Sequence, residues 1–246
     1  MSVRYRLTLY CQATHATAKI IVMKTLLLIP FLFIAGSCSL VAKKIYGIKN
    51  PEVESRESIM QYARSVGLDT SAIVTVDSPY FIPAFKRIQS SVPEAEIFSK
   101  NGENLLYKNV STDCNAGLFY FIPRLRTDTV YAKKDSFSLK EQLASLRDLN
   151  GKTISPAGLE NADYFLFIYW TRWTGKLNKD HVKEWEKLAA SNKNVRIRVF
   201  EINLDFQNWW SDSFTQKIIT AMSGKNKRNY TIHPPHDSID RSAAYK

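Results

Sequence analysis

The chain has 246 residues, 45% of them hydrophobic, enough to bury one full core or two small ones, which excludes a generally disordered protein. Its formal charge is +11: residues 1–38 hold four basic and no acidic residues, and the remainder carries +7 from 30 basic and 23 acidic side chains. Those charges are interspersed, without a basic stripe or a nucleic-acid motif, so they favour loose association with anionic surfaces and give no basis for nucleic-acid binding.

Met23-Lys24 and the apolar run Thr25–Gly36 read as the short basic region and hydrophobic core of a signal peptide. About a dozen apolar residues are too few to span a bilayer, which takes ~20. Ala35-Gly36-Ser37-Cys38 closes the run and resembles a bacterial lipobox, in which the cysteine is acylated and becomes the new N-terminus. Ala35 stands where Leu is commonest in that motif. The expectation is a lipid anchor at Cys38; the plainer reading is ordinary cleavage near Ser39 with Cys38 incidental. Residues 1–22 fit neither, and read as an over-extended gene start or a long n-region. Either way, residues 1–38 are an address and not part of the fold. The lack of acidic residues directly after Cys38 resembles lipoprotein sorting patterns that leave the protein facing the periplasm.

Residues 39–54, polar and holding Lys43-Lys44, Gly47 and Pro51, read as a tether. From Ser55 a helix is predicted: Ile59, Tyr62, Ala63 and Val66 share a face at helical spacing, and Gly67 supplies the stop. Ala72–Val76 is a short β-branched strand. A second helix is predicted through Ala84-Phe85 to Ile88, with Pro83 in its first turn. Ala95–Phe98 and Asn104–Tyr107 flank Asn101-Gly102, a hairpin signal, because Asn-Gly accepts the positive φ of a tight turn. Gly117–Ile122 reads as another strand and 127–137 as a loop. Ser138 and Glu141 make a capping box that opens a helix, with Leu139, Leu143 and Leu146 facing inward and Gly151 ending it. Tyr164–Trp170, seven apolar residues bounded by polar ones, reads as a strand buried on both faces. After it, Val182, Trp185, Leu188 and Ala189 mark one face of a helix. Val195–Leu204 is a strand, and Phe214, Ile218 and Met222 align on a last helix ended by Gly224. Residues 225–246 are polar, contain Pro234-Pro235, and read as a flexible tail.

In thioredoxin-like proteins an apolar strand ends in Trp-x-x-Trp-Cys-Gly-x-Cys and leads into a helix. Tyr164–Leu177 resembles that segment: Trp170, Trp173 and Gly175 stand where the pattern has them, while Thr174 and Leu177 occupy the two cysteine positions. The strand–helix–strand run at 164–204 resembles the first half of the thioredoxin fold. The stretch 92–107 resembles the second half, in which a proline, typically cis, precedes a strand, a Gly-containing turn and the last strand; Pro93 is the candidate. Because that half comes earlier in the chain, the resemblance implies either a permuted order completing one mixed sheet, or two units each incomplete or decorated. The expectation is the former: an α/β fold over residues 55–224, with a thioredoxin-like mixed sheet flanked by helices. The resemblance covers about half of the chain beyond residue 38.

Thiol–disulfide exchange needs a thiolate at a helix N-terminus and a second thiol to resolve the mixed disulfide. The Thr174 hydroxyl does not ionise in the accessible pH range; it can cap a helix by accepting a backbone N–H, and Leu177 packs. The resemblance therefore implies the scaffold without its two-cysteine chemistry. By analogy with redox-dead members, the surface around Tyr169–Leu177, with Trp170, Trp173, Thr174, Gly175, Leu177 and Pro93, serves to bind an envelope protein or peptide. Cys114 is the one thiol beyond the address. It lacks the Pro-x-x-x-Thr-x-x-Cys signature of one-cysteine peroxidases, and Asp113 beside it disfavours a thiolate. A small buried cysteine is the plainer reading, and a divergent thiol-dependent oxidoreductase using Cys114 is the alternative. His233 and His236 in the tail do not make a metal site. His181, in the first turn after the central strand, is either a solvated helix position or a proton shuttle. Trp209-Trp210, between the last strand and helix, puts one ring forward as a contact point. No cofactor is expected.

Overall fold

The computed structural model describes residues 43–89, 91–108, 115–155 and 159–222. Cys11, Cys38 and Cys114, the expected signal segment, Gly224 and the expected tail with His233 and His236 lie outside the described residues. The chain divides into two units, one up to Gly47 and one from Ile48 onward. Of the first, Lys43–Tyr46 form a single helical turn that Gly47 closes at φ +65°.

In the second unit the elements are β1 (Val53–Glu54), α1 (Arg56–Val66), β2 (Ile73–Val76), α2 (Phe81–Arg87), β3 (Glu94–Ser99), α3 (Leu118–Phe121), α4 (Leu139–Ala144) and β4 (Leu146–Arg147). They continue with β5 (Tyr164–Trp170), α5 (Lys183–Ser191), β6 (Ile197–Asn203), β7 (Phe206–Gln207) and α6 (Asp212–Met222). All seven residues of β5 are buried, which requires neighbours on both edges and cover on both faces. β6 pairs with it in parallel and β3 antiparallel, and the five-stranded mixed sheet runs β3-β5-β6-β2-β4. β2 lies parallel to β6, and β4 closes the far edge antiparallel to β2.

The period-two alternation of β5 feeds two cores. Tyr164, Leu166, Ile168 and Trp170 join Ile59 and Ala63 of α1 and Trp185 and Ala189 of α5 on one face. Phe165, Phe167 and Tyr169 join Phe81 and Ala84 of α2, Leu143 of α4 and Ile218 of α6 on the other. Phe167 stacks on Phe200 of β6 with ring centroids 4.9 Å apart. Helices therefore cover both faces of the sheet.

Local signals explain the ends of the elements. The Ser55 hydroxyl accepts the Ser58 N–H and the Ser58 hydroxyl accepts the Ser55 N–H, so α1 opens on a reciprocal cap; Gly67 closes it at φ +76°, in the left-handed region glycine enters freely. Ser138 and Glu141 form the predicted box at the start of α4. The Asn101-Gly102 turn forms, Gly102 at φ +89°, and folds Asn104 and Leu105 back along β3 through the Ser99 N–H to Glu103 O (3.0 Å) and Leu105 N–H to Ile97 O (2.8 Å) bonds.

Four expectations are corrected. Gly117–Ile122 is not a strand: Leu118–Phe121 are helical and run into a 3₁₀ turn at Ile122–Arg124. Leu118, Ile122 and Leu125 are fully buried while Tyr120 is 68% exposed, a helical spacing that a six-residue apolar run cannot be told from in sequence. α2 begins at Phe81, ahead of the expected start, after a 3₁₀ turn whose Asp77 cap accepts the Ser78 N–H. α4 stops at Ala144, so Leu146 points inward from β4 and not from a helix, and Gly151 sits in a later turn. Finally, the stretch 39–54 is not all tether, because Val53–Glu54 pair in parallel with β7 and Glu54 is buried. Among the described residues no helix is long and apolar enough to cross a membrane.

Candidate functional site

The two central parallel strands, β5 and β6, end side by side, with Trp170 in register with Asn203. In open α/β sheets this end is where ligands gather. β5 leaves the sheet through extended Thr171 and a 3₁₀ turn, Arg172–Thr174; Gly175 then reverses the chain at φ +61°, ψ −127°. A residue with a Cβ rarely adopts that conformation, so the glycine is required there. A π-helical turn, Asn178–Val182, leads into α5.

A buried hydrogen-bond network fills the inside of this turn. Thr174 is 2% exposed and Asn178 fully buried. Thr174 Oγ1 lies 2.8 Å from the Thr171 carbonyl and 2.9 Å from Asn178 Oδ1, and donates its one hydrogen between them. Asn178 Nδ2 donates to the Thr171 carbonyl (2.7 Å) and to Tyr62 Oη (2.9 Å), and Tyr62 Oη donates to the Gly175 carbonyl (3.0 Å). The Tyr62 ring, from α1, stacks on Trp170 at 6.1 Å. Burial pushes the Tyr62 phenol above its ordinary pKa, the Asn178 bond opposing, so the hydroxyl stays protonated as a donor.

Outside this network lies a charged one. The Arg172 backbone N–H donates to both oxygens of Asp205, at 2.8 and 3.1 Å, and Asn203 Nδ2 donates to Asp205 Oδ2 at 2.7 Å. The Arg172 guanidinium pairs with Glu54 of β1 and lies 5.6 Å over the Tyr62 ring. Asp205 is 1% exposed; burial raises its pKa to about 7, against the Asn203 and Arg172 hydrogen bonds that favour the carboxylate.

The singled-out residues fall into place unevenly. Trp170 is fully buried core. Trp173 is half-buried, and its carbonyl accepts the Lys49 N–H at 2.9 Å. Leu177 is half-buried and Lys176 exposed, so the outer surface of the turn is formed by Arg172, Trp173, Lys176 and Leu177. Pro93 is buried, its bond to Val92 is cis, and it stands one residue before Glu94, which pairs with Tyr169 across the sheet. Thr174 does not act as a helix cap: its hydroxyl donates, and no side chain caps the helix that follows. His181 is not a simple solvated position, because its ring packs edge-on to Trp185 (5.5 Å) and Phe119 (6.0 Å). Trp209 is the half-buried member of its pair, with the Arg56 guanidinium 5.0 Å over its ring, and Trp210 is buried. Tyr62, Asn178, Asp205 and Glu54 are not apparent in the sequence as parts of this site, and Arg172 lies within the expected surface without being singled out.

Among the described residues no three His, Cys, Asp or Glu side chains converge as metal ligands. Comparison of the chain with family models, with curated proteins and with solved structures finds no match.

Proposed function

We propose that the chain from residue 53 onward forms a permuted thioredoxin-like domain that has lost thiol chemistry and acts as a binding module, held at a bacterial membrane, facing the periplasm, by a lipid on Cys38. In support of the fold, β5, α5 and β6 run as a parallel strand–helix–strand unit, and β3, directly after Pro93, lies antiparallel on the other edge of β5. These are the two halves of the resemblance, in reversed chain order.

The observation that carries the functional reading is the state of Thr174. At the position of the first cysteine, its hydroxyl is buried and committed to Thr171 and Asn178. A nucleophile at that place would need to be exposed and ionisable. What the turn offers to solvent is an indole, an aliphatic side chain and two cations, the chemistry of a peptide- or protein-binding patch. The partner is an envelope protein or peptide with an acidic and an apolar group close together.

Peptide display selected on the wild-type chain tests this reading. Enriched binders are expected to lose at least tenfold in retention on Trp173→Ala at unchanged Tm. Binders indifferent to Trp173, or disulfide reduction turned over by a fast-alkylating Cys114, would replace the binding module with a thiol enzyme or with another surface.

A further inference from the structure

A small cavity lies between the C-terminal end of α2, β3 and the returning hairpin arm, and it shares no residue with the 171–178 turn. Its walls include Arg87, Gln89, Glu94, Tyr107, Lys108 and Lys134, and it leaves about 50 Å³ for water-sized atoms. One water needs roughly 10–15 Å³ on that measure. The space thus suits roughly three to five oxygen-sized atoms, a phosphate-sized group with any ester substituent left outside the cavity.

We infer that this cavity is a binding site for a phosphate group, held by Arg87, Lys108 and Lys134. Three cations and one carboxylate line it. The carboxylate is already engaged: Glu94 Oε1 accepts the Tyr107 hydroxyl and the Ala95 N–H, and Oε2 accepts Lys108 Nζ at 2.5 Å. The second carboxylate nearby, Glu96, is 1% exposed and takes Arg87 Nε (3.0 Å), Lys134 Nζ (2.8 Å) and the Tyr169 hydroxyl (2.6 Å). Three cations thus face two carboxylates that their own donors already satisfy.

Donors remain for a ligand. Arg87 uses Nε on Glu96 and Nη2 on Gln142 (2.6 Å) and Tyr169 (2.7 Å), while Nη1 has no protein partner among the described residues. Among the described residues each lysine donates to one carboxylate, and an ammonium has three N–H groups. Arg87 is also immobilised, with its guanidinium 3.8 Å over the Phe137 ring. A pre-positioned guanidinium loses little freedom on binding and matches the geometry of phosphate oxygens. The side chains of Arg87, Lys108 and Lys134 are only 16%, 25% and 31% exposed, so their charges are partly dehydrated and an anion between them is worth more than at an open surface.

The test is calorimetric titration of the full chain with inorganic phosphate, and separately with glycerol 3-phosphate, at constant ionic strength with chloride as the control. Saturable binding specific to phosphate is expected, weakened at least tenfold by Lys108→Met. Glu94→Gln should tighten it several-fold, because it removes the negative wall and frees the Lys108 ammonium. The opposite signs guard against misfolding, which weakens both; Lys134→Met, expected to weaken binding at unchanged far-UV signal, is the second check. Binding of inorganic phosphate assigns the free anion, and binding of glycerol 3-phosphate alone assigns an esterified headgroup. No phosphate-specific heat, or weaker binding in Glu94→Gln, overturns the site.

Discussion

Glu201, in β6, is fully buried, and among the described residues no donor stands in good hydrogen-bond geometry to either carboxylate oxygen. Burial raises its pKa from 4.5 to about 9, and the nearby Glu186 and Asp69 push in the same direction. The folded state therefore holds a proton that the unfolded chain has released across this interval, and stability falls as pH rises through it. Asp205, raised from 3.8 to about 7, adds the same slope over a lower window. Above pH 7 the two effects separate, because Asp205 is then ionised in both states. Glu201→Gln should gain roughly 3 kcal/mol at pH 7. It should also flatten the decline of stability between pH 7 and 9 that the wild type shows in urea melts. A wild-type curve already flat over that range would mean that the buried carboxyl has found a partner.

At the scale of elements, the 171–178 turn holds its shape through one side chain. Asn178 bonds Thr174, the Thr171 carbonyl and Tyr62 at once, tying the end of β5 to α1 and to the start of the helix after it. Asn178→Ala leaves a buried hydroxyl and a buried carbonyl without that partner, each such loss costing about 1–3 kcal/mol. The expected result is a fall of roughly 2–4 kcal/mol in unfolding free energy, with faster amide exchange confined to 171–182. An effect spread evenly over the sheet would mean that the residue supports the core and not the turn.

Legibility in the sequence followed how local the cause was. β5 could be read because burial on both faces writes an unbroken apolar run, and α1 and α4 because their caps are spelled in neighbouring residues. The two-residue β1 and β4 carry no pattern of their own and exist through partners in β7 and β2. The 118–121 helix was lost because so few residues do not fix a period. In the site, Trp170, Trp173, Gly175 and Pro93 stood out by residue type. Tyr62 and Glu54 did not, since their roles depend on bonds to Asn178 and Arg172 that span 116 and 118 positions.

For the whole molecule, the proposed anchor and the overall charge make separable contributions to membrane attachment. The basic excess of +7 beyond residue 38 is spread among acids, so its pull on anionic lipid is weak and is screened within about 3 Å at 1 M salt. Buried acyl chain contributes about 0.8 kcal/mol per methylene and is indifferent to salt. Wild-type protein should then stay with the membrane fraction through a 1 M salt wash. Cys38→Ala, which keeps every charge, should leave it in that wash while remaining folded by far-UV circular dichroism. A Cys38→Ala chain that resists the wash would place attachment in the uncleaved apolar run Thr25–Gly36 and remove the lipobox from the account. The reading of the 171–178 turn would be untouched, because its bonds all lie within the unit that begins at Ile48.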